Sequence, residues 1–137
     1  MKDLLKDPTL LRTQAYINGE WVDSDSGETF PVHNPATQEV LVEVASVAGA
    51  ETRRAIEAAE VAQKAWAAKS AMERSAVLMK WNNLILENVE DLAIIMTQEQ
   101  GKVLAESRGE IVYAASFIEW FAEEGKRVYG DVFPLPQ

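Results

Sequence analysis

No cysteine occurs anywhere in the 137 residues. Disulfides, thiolate zinc sites and a thiol nucleophile supplied by this chain are therefore excluded. Histidine is nearly absent as well, with His33 standing alone. Catalysis through it would need a nucleophile and an orienting acid brought close from elsewhere in the fold. A single histidine between a strand and a turn is more often a satisfied polar group, and His33 reads that way first. Positive charge is scarce: 13 Lys and Arg stand against 22 Asp and Glu, a net charge of −9. With no basic patch either, nucleic acid and anionic membrane are poor partners. No apolar run reaches the length of a membrane span. The opening "MKDLLKDPTLL" carries Asp3, Lys6 and Asp7 and does not read as a signal peptide. The expectation is a cytoplasmic protein. There is no glycine-rich dinucleotide fingerprint, and the Gly-Lys pair of "EQGK" has no phosphate loop before it.

What is present reads as α+β and helix-rich, with β-hairpins followed by four helices. Four stretches are expected: an N-terminal extension (1–14), a β-hairpin segment (15–48), a helical segment (49–125) and an apolar arm (126–137). In "AYINGEWV", Asn18-Gly19 suits a type I′ turn, because both central residues need positive φ. "NPAT" is a second turn, since proline fixes its own φ and keeps the asparagine before it out of the helical region. "EVLVEVAS" alternates Val40, Val42 and Val44 against Leu41, Glu43 and Ala45, the period of a strand.

From Gly49 the period becomes helical. Ala55, Ile56, Ala59, Ala62 and Trp66 form the first stripe, and Glu51 suits the positive end of that helix. Ser70 and Glu73 form a capping box for a second helix, with Val77, Trp81, Leu84 and Ile85 as its stripe. Asn88 is expected to cap a third helix carrying Leu92, Ile95 and Met96, which Gly101 ends in the left-handed conformation. A fourth helix runs from about Val103 to Glu124, with Gly125 as its stop. Between Ile111 and Ala122 its only charged residue is Glu119. A helix apolar on most of its circumference has to be covered on most sides. Glu119 and Glu123, four apart, mark a wet edge. Glu123 and Glu124 sit at the unfavourable end of the helix dipole, partly offset by Lys126 and Arg127.

The motifs resemble, in order and spacing, the start of an aldehyde dehydrogenase: "INGEW", "NPAT", the alanine-rich helix, "ERSAVLMKW" and "EQGK". The stretch "GEIVYAASFIEWFAEEGKRVYGD" is similar to bacterial succinate-semialdehyde dehydrogenases. The likeness runs from about Leu11 to the end. It implies the N-terminal portion of that fold, a layer that wraps the cofactor domain and then begins an oligomerisation arm at 126–137. It implies NAD or NADP and a small aldehyde substrate for a longer parent, whose catalytic cysteine and cofactor loops have no counterpart here. The chain alone is expected to bind no cofactor and to be inactive.

The same resemblance gives the candidate site residues. Tyr113, Phe117 and Trp120 share a face of the fourth helix and would line a substrate tunnel; the competing reading places all three in the core. Segments around His33 and Glu99 match those that hold a structural monovalent cation, largely through carbonyl oxygens. A homo-oligomer is expected. Standing alone, the chain would leave the fourth helix and "VFPLP" open to water and form a symmetric dimer, burying that helix or exchanging the arm. The alternative is a stand-alone interaction module that docks onto a full-length dehydrogenase.

Overall fold

A computed structural model describes residues 1–134. Two single turns of 3-10 helix, Lys2–Leu4 and Pro8–Leu10, lead into strands β1 (Ala15–Ile17), β2 (Glu20–Val22), β3 (Thr29–His33) and β4 (Val40–Ala45). Helices α1 (Gly49–Ala68), α2 (Ala71–Glu87), α3 (Val89–Gln100) and α4 (Leu104–Glu124) follow. The order is that of the expected hairpins and four helices. Leu135, at the end of the apolar arm, lies outside the described residues.

Local chemistry explains the junctions. Asn18 and Gly19 both adopt positive φ, 51° and 85°, and close the two-residue hairpin between β1 and β2. At "NPAT" the Asn34 carboxamide oxygen accepts from the amides of Ala36 and Thr37 at 2.9 and 3.3 Å. β3 and β4 pair antiparallel, and Leu41 is the extra residue of a bulge, since Val32 faces Val42 while His33 faces Val40. Ser70 Oγ accepts from the Glu73 amide at 3.3 Å, and the Glu73 carboxylate accepts from the Ser70 amide at 2.8 Å, so the capping box forms. Gly101 ends α3 at φ +70°. A Cβ there would stand 2.8 Å from Pro35 Cγ, so glycine is required by conformation and by space. Gly125 follows the last residue of α4 but is right-handed, with φ −59°.

Asn88 departs from expectation. It stands between α2 and α3, yet its side chain does not cap α3. Its Nδ2 donates backwards to the Leu84 carbonyl at 2.8 Å and closes the end of α2. One residue thus ends one helix and starts the next, with no loop between them.

Packing also corrects the expected faces. The main helix contact is α2 against α4, with α3 on α4 next. It is built from small side chains: Ser75 and Asn82 on α2, Ala93 on α3, and Ser107, Ala115 and Ala122 on α4 are all buried. Thr97 and Ser107 hydroxyls share a hydrogen bond of 2.8 Å across α3 and α4. The stripe read for α2 points the other way: Val77, Trp81 and Leu84 are exposed, and only Ile85 is half-buried. The bulky apolar residues lay on the wrong side of a contact that needs close backbone approach. On α1, Ala55 and Trp66 are half-buried but Ile56, Ala59 and Ala62 are exposed, because little beyond the first hairpin touches that helix. On α3, Leu92, Ile95 and Met96 are half-buried. The fourth helix is not covered on most sides within this chain; Val112, Tyr113, Phe117, Trp120 and Phe121 all face water. So do Val128, Tyr129, Val132 and Phe133 beyond it.

Two carboxylates tie distant segments to the helices. Asp91, in the first turn of α3, accepts from the backbone amides of Lys6 and Asp7 at 2.9 and 2.7 Å. It clips the first residues, whose Leu5 and Leu11 are buried, to the bundle. Glu51 accepts from the amides of Asp25 and Ala48 at 2.8 and 3.1 Å and so fastens the loop after β2 to the start of α1. The amide of Asp25, with the amides at the helix start, holds its carboxyl below the usual range. No helix among the described residues is long and apolar enough to cross a membrane.

Candidate functional site

The sequence spaces Tyr113, Phe117 and Trp120 four and three apart, which sets them on one face of a helix. The structure places them on the face of α4 turned away from α2 and α3, with exposures of 64, 48 and 63%. They are therefore not core within this chain. Tyr113 and Phe117 meet edge to face, their ring centroids 4.9 Å apart. Ser116, between them, donates its hydroxyl to the Tyr113 carbonyl at 2.7 Å and offers no nucleophile with a base beside it.

Phe117 and Trp120 line an open groove of about 630 Å³ together with Phe121, Glu119, Glu123, Glu124 and Arg127. Tyr113 sits just outside it. Phe121 and Arg127 were missed as site residues because spacing from Tyr113 selects 117 and 120 and stops at the helix end. Charge in the groove is largely paired: Lys126 Nζ reaches both Glu123 oxygens at 2.8 and 2.9 Å, and Arg127 lies 3.6 Å from Glu124. The arrangement is an aromatic wall with an acidic rim. It offers an apolar surface to a ligand, but it carries no acid–base pair.

The segments around His33 and Glu99 do come together. Asn34 Nδ2 donates to Gln98 Oε1 at 3.1 Å, and Pro35 packs on Gly101. His33 itself is exposed at the end of β3. Desolvation raises the Glu99 carboxyl above its ordinary value. Among the described residues no cluster of three His, Asp or Glu side chains could hold a metal. Any cation held at this junction would take at most a minority of its ligands from acidic or histidine side chains.

Among the described residues no parallel strand offers the usual crevice for a nicotinamide dinucleotide. That cofactor is usually held where a parallel strand turns into a helix. Both sheets among the described residues are two-stranded and antiparallel. The start of α1 is closed by Glu51, whose negative charge opposes a phosphate.

Comparison with known proteins gives this geometry its context. Residues 21–137 match the model of the aldehyde dehydrogenase family. Over 130 residues the chain is 63% identical to a glutarate-semialdehyde dehydrogenase of Pseudomonas putida, covering 95% of this chain and 27% of that protein. It is 56% identical to an NADP(+) succinate-semialdehyde dehydrogenase of Escherichia coli, again covering 95% and 27%. The crystal structure of succinate-semialdehyde dehydrogenase from Burkholderia pseudomallei superposes with a TM-score of 0.94 at 59% identity, over 97% of this chain and 28% of that one. The chain spans about a quarter of the length of these relatives, and its hairpins and four helices are the N-terminal portion of their fold. This chain belongs to the aldehyde dehydrogenase family.

Proposed function

We propose that the chain is the N-terminal layer of an NAD(P)-dependent dehydrogenase. Its substrate would be a short aldehyde with a carboxylate at the far end, succinate semialdehyde or its one-carbon-longer homologue. The observation that carries this reading is identity above 55% across nearly the whole chain to enzymes named for these substrates. In this reading a thiolate attacks the aldehyde and the nicotinamide accepts the hydride, both on parts of the protein beyond these residues. The role left to this chain is to wall the approach to the reacting carbon. Phe117 and Trp120 would pack the aliphatic part of the substrate, with Tyr113 fixing Phe117 from the side. Glu123 and Glu124 are paired with Lys126 and Arg127, and the charge of Glu119 disfavours the substrate's carboxylate beside it, so that carboxylate would lie away from Glu119.

The test has two arms. Purified chain, given either semialdehyde and either cofactor, should produce no reduced cofactor by absorbance. Turnover free of contaminating enzyme would overturn the reading. In a full-length enzyme that begins with this sequence, Phe117→Ala or Trp120→Ala should raise KM for the semialdehyde more than KM for the cofactor. Equal losses in both, tracking stability, would return these residues to a packing role. A stable complex between the chain and an intact dehydrogenase would instead make it a docking module.

A further inference from the structure

We propose that Asn18 is a site of covalent self-modification. It converts to isoaspartate through attack by the amide of Gly19, and opening of the β1–β2 hairpin sets the rate. The reaction needs only these two residues and water. It does not depend on the dehydrogenase reading or on what covers the outer faces of the chain.

The chemistry balances within the turn. The Gly19 nitrogen attacks Asn18 Cγ and a C–N bond forms. The Cγ–Nδ2 bond breaks, and the amide group leaves as ammonia with the proton lost from Gly19. Water then opens the five-membered imide. Cleavage at one carbonyl leaves aspartate; cleavage at the other leaves isoaspartate, with Cβ and Cγ inside the main chain. Nothing is oxidised or reduced.

Of the five asparagines, Asn18 alone precedes a glycine, whose missing side chain leaves its nitrogen open to approach. A Cβ at Gly19 would meet nothing nearer than the Tyr16 hydroxyl at 4.0 Å. Both turn residues are exposed. Among the described residues neither the Asn18 carboxamide nor the Gly19 amide is held by a hydrogen bond. The other four asparagines are blocked. Asn34 precedes Pro35, which has no N–H, and its carboxamide is bound to Gln98 and to the amides of Ala36 and Thr37. Asn82 and Asn83 lie inside α2, where the amide that follows each is tied into the helix. Asn88 donates to the Leu84 carbonyl and is followed by the branched Val89.

The fold restrains the reaction. Asn18 stands at φ 51° in the turn, and the imide ring requires a ψ far from the left-handed value. The hairpin must therefore open first. It consists of three residue pairs, Ala15 with Val22, Tyr16 with Trp21 and Ile17 with Glu20, and a lone two-stranded sheet is marginal. The Tyr16 and Trp21 rings, 5.0 Å apart, help to close it. Isoaspartate adds a backbone atom to a two-residue turn, so the pairs do not re-form in register. The new carboxylate also joins Glu20 and Glu57 in one groove, where Arg54 is already held by Asp25. Modification thus leaves the hairpin open.

Peptide mapping by mass spectrometry tests this, with electron-transfer fragmentation to separate the two acids. The whole chain is held in warm neutral buffer beside the free peptide Gln14–Val22. Asn18 should convert before any other asparagine, more slowly than in the peptide but by no more than about a hundredfold, as for local opening of a marginal hairpin. Trp21→Ala and Tyr16→Ala each remove the cross-strand pair and should speed conversion by up to about fivefold. In converted chain the amides of β1 and β2 should lose exchange protection while those of α2 and α4 keep theirs. Asn18→Gly keeps the turn, forms no imide and should lose no protection on the same incubation. Asn18 intact beyond the hundredfold bound set by the peptide would overturn the proposal. So would earlier conversion of another asparagine, an unchanged rate in both aromatic variants, or a converted chain whose hairpin stays protected.

Discussion

Replacing Asp91 should release the first residues of the chain from the bundle. This carboxylate is 5% exposed and takes two backbone amides, one on each oxygen, at 2.9 and 2.7 Å. A hydrogen bond to a charged group contributes about 1.5–3 kcal/mol. Losing both in Asp91→Ala would cost about 3–6 kcal/mol if the amides stayed buried. They need not stay buried, because the segment can detach and hydrate them. The loss is then limited to the free energy that docks the segment, chiefly through Leu5 and Leu11. We expect about 3 kcal/mol, and at a slope of about 1.5 kcal/mol per M the urea midpoint falls by about 2 M. Asp91→Asn should be nearly as costly, since one of its two polar ends is a donor and faces another donor. Hydrogen exchange locates the effect: the amides of Lys6 and Asp7 should lose protection while those of α4 keep most of theirs. An unchanged midpoint with unchanged protection at Lys6 and Asp7 would refute the clip.

Three further outcomes follow from the junctions. Gly101→Ala should destabilise by about 2 kcal/mol in a urea titration, from left-handed backbone strain and the approach to Pro35; Gly101→Asn relieves only the first, so a neutral Asn variant would remove Pro35 from the account. Ser70→Ala should cost about 0.5–2 kcal/mol, and an unmoved midpoint would mean that α2 does not depend on its cap. Glu51 has its pKa lowered from an ordinary 4.5. Its contribution is therefore complete above that value and lost as pH falls through the lower folded value. The stability gap between the natural chain and Glu51→Gln should shrink as pH falls below the ordinary value of 4.5, and a constant gap would contradict the two amide contacts.

The features readable in the sequence were those decided within a few residues. Asn18-Gly19, the Ser70 and Glu73 box, and Gly101 each impose a backbone geometry that no distant contact needs to supply. Helix faces were harder. On α2 a stripe of Val77, Trp81 and Leu84 reads as the buried side, but α4 approaches along Ser75 and Asn82. Small residues carry no weight in a hydrophobic pattern, yet they permit the closest approach. Asp91 and Glu51 look like ordinary first-turn carboxylates. That they reach residues 84 and 26 positions away is a matter of tertiary placement. Asn88 fits the composition of a cap, and its side chain chose the helix behind it. For the site, spacing put Tyr113, Phe117 and Trp120 on one face, but only the fold shows that face turned outward with Phe121 and Arg127 beside it.

The helix crossings made from Ser75, Asn82, Ala93, Ser107, Ala115 and Ala122 have a thermal consequence. Unfolded, a chain of this mass exposes about 22,000 Å², so the folded state, at 10085 Å², hides only about 55% of it. That share belongs to a domain of less than half this length. Heat capacity of unfolding grows with the apolar area newly wetted, and here a smaller share of the surface is dry than is usual at this length. The curve of stability against temperature is correspondingly shallow, with a small melting enthalpy and a broad transition. On warming, this chain should loosen over a wide interval, and whatever covers its outer faces should sharpen the transition.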